Sequence, residues 1–210
     1  MLIVSGINED EDAEAHHAGG FIISASGLAL TNHHVIQSYR QGDLLTATTL
    51  DGRVVGVREI LASNEADDLA LIQLDGEGFQ PVAIAEGAPV GSDEVAISHP
   101  QNAFYTLTKG HISRYCREDN RPRMMITAEF AMGSSGAPVF NQNGAVVGMI
   151  EMKRSIAYNT LPGHNDEGTI KVGGKRGSRL FLSMSHQMTL RYIVPCQALR
   201  AFLFPQMEKE

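Results

Sequence analysis

From Gly20 onward the chain is built of short apolar or β-branched runs separated by clusters of Gly, Asn, Asp and Pro. Such runs, too short for a helix and bounded by turn formers, read as strands. In the first half they predict strands over Phe21–Ser24, Leu28–Thr31, Leu44–Thr49, Val54–Ile60, Leu69–Leu74 and Pro81–Ala83. In the second half they predict strands over Glu94–Ser98, Thr106–Arg114, Met124–Thr127, Ala137–Phe140, Ala145–Glu151 and Arg191–Val194. Ser26-Gly27, Asp51-Gly52 and Asn143-Gly144 supply tight-turn residues between neighbouring runs. About a dozen strands at this spacing predict an all-β chain of two packed six-stranded antiparallel barrels rather than one sandwich.

The Gly- and Pro-containing stretch Glu86 to Asp93 is the natural seam, giving a first barrel over residues 19–86 and a second over 87–210. Residues 1–18, with the acidic run Asn8 to Glu14, are expected to form an N-terminal tail. The polar, Gly-rich stretch from Asn159 to Arg179 is expected to be a long surface loop. Near the end, Leu199, Phe202 and Leu203 fall on one face of a helical period, so Pro195 to Phe204 predicts a short amphipathic helix.

Composition narrows the function classes. A net charge of -7 without a cluster of Lys or Arg argues against a nucleic acid partner. No apolar run approaches the roughly 20 residues that span a bilayer, so no membrane span is expected. The opening residues Met1 to Gly6 are too short for a signal peptide. Cys116 and Cys196 fit no metal or redox spacing; they allow one disulfide at most, and two separate small apolar residues are expected over a bridge. The histidines outside the segments discussed next, His16, His17, His99, His111, His164 and His186, show no ligand spacing, and no metal is expected. His16-His17 is read as part of the solvated tail.

Three segments carry candidate chemistry. The run from Gly20 to Val35 ends an apolar strand in Thr31-Asn32-His33-His34-Val35, which sets a histidine where it can face a cleft. In Asp67-Asp68-Leu69-Ala70-Leu71, a carboxylate stands at the foot of an apolar strand, where it can be shielded and orient an imidazole. In Gly133-Ser134-Ser135-Gly136-Ala137-Pro138, flanking glycines let a serine hydroxyl project while successive N–H groups converge. Each segment alone has an ordinary explanation, as a structural histidine, an acidic turn or a turn of small residues. Their joint occurrence is the signal.

Together the three segments resemble the trypsin-like serine peptidases, and within them the HtrA-like bacterial branch, whose patterns run close to T-N-x-H-V, D-L-A-L and G-N-S-G-G-P. The resemblance runs from about Gly19 to the strand at Ile150, with a weaker echo at Tyr192-Ile193-Val194-Pro195-Cys196. It implies a chymotrypsin-like fold and, position by position, His34 as general base, Asp68 as orienting carboxylate and Ser135 as nucleophile. It also implies an oxyanion hole formed by the backbone N–H groups of Gly133 and Ser135. His33 and Asp67 are then neighbours of the functional residues. The order His, Asp, Ser matches chymotrypsin-type enzymes and neither the α/β-hydrolase nor the subtilisin order.

By the same resemblance the function is that of a serine endopeptidase acting through an acyl-enzyme, with a polypeptide substrate and no metal or organic cofactor. A periplasmic or secreted location and a monomer or small homo-oligomer are expected. Three departures qualify the match, the first being Ala137 where the HtrA-like branch usually has Gly. Ser134 stands where pancreatic trypsins carry the aspartate that pairs with a new N-terminus, so zymogen activation of that kind is not expected. The chain closes at Glu210, so the PDZ domain usual in the HtrA-like branch is not expected either.

Glu129, Phe130 and Met132 lie in the stretch that lines the first specificity pocket of this fold. An inward Glu129 would favour a basic residue before the cut bond, whereas an inward Phe130 would favour small apolar ones. Family resemblance points to small aliphatic residues, with Glu129 an exposed strand-end charge. The competing function is a catalytically silent scaffold that binds peptides or proteins without cutting them.

Overall fold

A computed structural model of the chain describes residues 1–7, 16–37, 39, 44–157 and 186–207. Among the described residues, twelve strands form two closed antiparallel barrels. The first has the order β1-β2-β3-β6-β5-β4 and the second β10-β11-β12-β9-β8-β7. In the first barrel these are β1 (Leu2–Ile7), β2 (His16–Ile22), β3 (Leu28–Thr31), β4 (Leu44–Thr49), β5 (Val54–Asn64) and β6 (Leu69–Leu74). The second is built of β7 (Asp93–Ser98), β8 (Thr106–Glu118), β9 (Arg121–Ile126), β10 (Pro138–Phe140), β11 (Val146–Ala157) and β12 (His186–Pro195). One helical turn, α1 (His33–Ile36), follows β3, and α2 (Cys196–Met207) follows β12. The chain divides into a large unit, Met1–Lys153 with Arg191–Glu210, and a small one, Arg154–Leu190. The residues discussed below belong to the large unit.

The first correction concerns the N-terminal segment. Leu2–Ile7 is not tail but the strand that closes the first barrel, paired with β2 on one side and β4 on the other. Leu2 and Val4 are buried in the barrel core with Ala47, Ala70 and Ile72. Its alternation covers only two inward positions, and its β4 partner lies some forty residues away, so local pattern alone cannot show it. The acidic run Asn8 to Glu14 lies outside the described residues, as does the stretch from Asn159 to Arg179. The second correction is the strand expected over Pro81–Ala83. That segment forms no ladder, and Ile84 contributes a single bridge to Val146. Pro81 has no N–H to donate, which suits a connecting segment better than a strand.

β6 explains how the barrels are joined. All six of its residues are buried. Ala70, Ile72 and Leu74 face the first barrel's interior. Leu69 and Leu71 face the opposite way, into a cluster with Val146, Met149, Val194 and the α2 residues Leu199 and Leu203. A strand apolar on both faces needs cover on both. That requirement presses the start of β6, and with it Asp68, against the second barrel. Cys116 and Cys196 are free thiols, the latter buried.

Candidate active site

His34 sits on α1, immediately after the buried residues Thr31 and Asn32. An asparagine before a helix ordinarily caps it. Here the Asn32 side chain makes no cap and instead donates from Nδ2 to the Asp68 carbonyl, at 2.9 Å. Asp68 adopts φ +57°, uncommon for a residue with a side chain. Its N–H donates to the Glu65 carbonyl. In this conformation its carboxylate grips His34 twice: Oδ1 accepts the His34 backbone N–H at 2.9 Å, and Oδ2 lies 2.8 Å from Nδ1. Asp68 is buried, whereas the His34 side chain is 41% exposed, so the imidazole bridges a shielded acid and an open cleft.

The Asp68 hydrogen bond is the main reason that the His34 pKa is raised above the ordinary histidine value. Burial opposes it, and the charges of Asp68 and Glu151 add to it. A carboxylate on Nδ1 leaves Nε2 as the nitrogen free to exchange a proton at the cleft.

Ser135 lies in a loop of two successive turns. The Ser134 N–H donates to the Ala131 carbonyl and the Ala137 N–H to the Ser134 carbonyl, with Gly133 at φ +91° and Gly136 at φ +80°. Gly136 has a second constraint, because a Cβ there would stand 2.2 Å from the Gly19 carbonyl oxygen. Gly19 N–H in turn holds the Ser135 carbonyl at 2.6 Å. The first barrel therefore grips the Ser135 loop through backbone contacts that tolerate no side chain.

In a trans peptide the C=O and the following N–H point in opposite directions. The Met132 carbonyl accepts the Gln101 N–H at 2.8 Å, so the Gly133 N–H points away from Gln101. The Ser134 carbonyl is likewise held by Ala137, so the Ser135 N–H points away from that turn. Among the described residues, neither N–H donates to a protein acceptor. Ser134 itself is buried, with its hydroxyl accepting the Ala131 N–H.

His34, Ser135, Gly133 and Met132 line one cleft of about 260 Å³ together with His17 and Tyr39. Among the described residues, the hydrogen bond of the Ser135 hydroxyl is to the Glu151 carbonyl, at 3.5 Å, rather than to His34. A larger, mostly aliphatic groove of about 730 Å³ lies between β3, residues 82–84 and α2. Its lining contains no carboxylate or imidazole, whereas His34 and Ser135 both line the smaller cleft.

Of the expected specificity residues, Met132 is 81% exposed at the cleft. Glu129 is exposed and pairs with Arg191 at 2.9 Å, away from the cleft lining. Phe130 is packed into the second barrel's core with Ile126, Ala128 and Ala137. His33 bonds to Ser63 and Asp67 to Asn64, both beside the site. His17 corrects the reading of a solvated histidine: it is on β2, 2.8 Å from the Ser5 hydroxyl, edge-on to Phe104. The buried pair Arg123 and Glu151, behind the cleft, gave no signal in the sequence, since each reads as an outward strand charge.

A family model described as a trypsin-like peptidase domain matches residues 18–149. The chain belongs to the trypsin-like peptidases. Among relatives, a DegP-like periplasmic serine endoprotease of Pseudomonas putida (strain W619) is 31% identical over 147 residues, covering 67% of this chain and 30% of the relative. One of the same description from Hahella chejuensis is 32% identical over 143 residues, covering 65% and 30%. An anti-sigma-I factor of Acetivibrio thermocellus is 31% identical over 143 residues, 67% of this chain and 20% of that protein. The chain thus spans about 30% of the length of the first two relatives. The crystal structure of a serine endoprotease from Yersinia pestis shares the fold, with a TM-score of 0.68, 20% identity, and 99% of this chain and 63% of that one covered. Among the described residues, no helix is long and apolar enough to cross a membrane.

Proposed function

We propose that the chain is an active serine endopeptidase in which Asp68, His34 and Ser135 act as a triad. The carrying observation is the double grip of Asp68 on His34, with Ser135 opening into the same cleft. Rotation of the Ser135 hydroxyl from the Glu151 carbonyl toward His34 Nε2 aligns the nucleophile with its base. His34 then removes the hydroxyl proton as Ser135 attacks a peptide carbonyl, and returns it to the leaving amine before water releases the acyl-enzyme. The Asp68 carboxylate stabilises the imidazolium formed on the way.

The negative charge that develops on the carbonyl oxygen is accepted by the N–H groups of Gly133 and Ser135, whose carbonyl-side anchors at Met132 and Ser134 fix their direction. Losing one such donor typically raises the barrier by roughly 2.7–4 kcal/mol. Met132 contacts the substrate at the cleft rim. The substrate class is polypeptide, and the periplasmic naming of the relatives supports a location outside the cytoplasm. A monomer or small homo-oligomer is the assembly proposed.

A fluorophosphonate probe tests the reading. Labelling of the wild-type protein but not of Ser135→Ala, with hydrolysis of a casein substrate lost in parallel, is the result expected. Folded wild-type protein that stays unlabelled from pH 6 to 9 would instead support the silent peptide-binding scaffold.

A further inference from the structure

Arg123 on β9 is the largest fully buried side chain in the described protein, 1% exposed. Its guanidinium is held by Glu151 of β11, with Nη2 donating to Oε1 at 2.6 Å and Nε against Oε2. Nη1 donates to the Pro122 carbonyl, and Nη2 also reaches the carbonyl of Asp67 at 3.5 Å. Asp67 directly precedes Asp68, whose left-handed backbone needs external support. That support comes from Asn32 and Glu65 in the first barrel, and from Arg123 in the second. Glu151 meanwhile presents its backbone carbonyl to the Ser135 hydroxyl. One buried ion pair thus touches both the turn that carries the acid and the strand residue that receives the nucleophile.

For stability alone such a pair is a poor choice, because desolvating two charges offsets much of their attraction and apolar replacements are often neutral or better. We infer that Arg123 and Glu151 are positioning residues, which pin the Asp67–Asp68 turn of the first barrel to the nucleophile side of the second and so set the Asp68–His34 hydrogen bond. The inference rests on the triad reading for its catalytic meaning, but its geometry concerns Asp68 and His34 directly. Burial is the main cause that raises the Glu151 pKa, opposed by Arg123 and aided by the charge of Asp68, and the charge of Glu151 adds in turn to the rise at His34.

The test uses two variants of the full chain. Arg123→Lys keeps a positive charge but cannot span Glu151 and the Asp67 carbonyl at once. The double variant Arg123→Met/Glu151→Leu removes both charges together and leaves neither unpaired. The decisive readout is the titration midpoint of His34, followed by NMR of its ring C–H, which needs no turnover. In Arg123→Lys, where Glu151 keeps its charge, a looser Asp68 contact is expected to lower that midpoint by about 0.5 pH unit or more; the double variant also loses the Glu151 charge that raises it, so that variant is read by kcat. In both variants the looser contact is expected to reduce kcat roughly tenfold with KM changed less than about twofold. A His34 midpoint within about 0.2 pH unit of wild type in Arg123→Lys would overturn the inference and leave the pair a packing feature. If the double variant does not fold, Arg123→Lys decides alone. A wild-type protein without activity would overturn the endopeptidase reading, whereas the His34 midpoint would still judge this one.

Discussion

Replacing Glu94 by Gln is expected to flatten one component of the protein's pH–stability curve. Glu94 faces the interior of the second barrel from β7, only 1% exposed. Its Oε1 accepts the Ala128 N–H at 3.1 Å, while Oε2 has no hydrogen-bond partner among the described residues. Burial pushes its pKa from the ordinary 4.5 to about 7, against the opposing Ala128 hydrogen bond and the His111 charge. The folded state therefore keeps a proton on Glu94 up to about pH 7, whereas the unfolded chain releases it near 4.5. Between those values the unfolded state binds fewer protons, so this group's contribution is fully present below 4.5 and is lost as pH rises through 7.

At about 1.4 kcal/mol per pH unit, the gap amounts to about 3 kcal/mol. Gln keeps the acceptor for Ala128 but cannot ionise. Urea unfolding of both proteins at intervals from pH 4.5 to 8.5 isolates the effect, because the titrations of His34, His99 and Glu151 cancel in the difference. The variant should gain on wild type by about 2–3 kcal/mol across this range, with the change centred between 4.5 and 7. Two stability curves running parallel over the whole range would refute the reasoning.

Three other outcomes follow from the site. Asp68→Asn keeps an acceptor for the His34 backbone but puts an amide donor against Nδ1, forcing the wrong imidazole tautomer; kcat for peptide hydrolysis should fall roughly 10⁴-fold, measured by initial rates with the fold checked by circular dichroism. Because only neutral His34 can accept the Ser135 proton and its pKa is raised, kcat/KM should climb with pH through a midpoint above 6.5, and a pH–rate profile with its acid limb below that value would contradict the Asp68 contact. Gly136→Ala meets the Gly19 carbonyl oxygen at 2.2 Å from a backbone at φ +80°, so urea unfolding should show a loss of roughly 2–4 kcal/mol, together with loss of fluorophosphonate labelling.

The candidate site was readable because its parts are compact in sequence. Ala131 to Pro138 contains both turns that shape the Ser135 loop, and Asp68 lies directly before the doubly buried β6. A strand with three alternating inward positions, such as β7, was equally legible. What escaped detection depends on distant partners. β1 is defined by β4, and the grip of Gly19 on Ser135 joins segments more than a hundred residues apart. The failed strand at Pro81–Ala83 shows the converse, an apolar run whose neighbours offer hydrogen bonds but no ladder.

The buried charges are the harder case, and the reason is one of phase. Alternation along a strand states that two faces differ, but a shift of one residue exchanges them, and charge normally decides which face is outward. In β7 the sequence Asp93-Glu94-Val95-Ala96 places two carboxylates side by side, so charge gives no phase. The small residues Ala96 and Ser98 then mark the inner face and carry Glu94 with them. At Arg123 and Glu151 the phase is regular, since Met124 and Ile150 take the barrel interior and the charges take the outer face, but that face is covered at the Asp67 turn and each charge is satisfied by the other. A sequence pattern scores residues one at a time, whereas the stability of a buried charge is a property of the pair. It is the same dependence on a partner that makes the Arg123–Glu151 contact able to transmit position between barrels, and that makes a charge-keeping substitution such as Arg123→Lys a cleaner probe than one that leaves Glu151 unpaired.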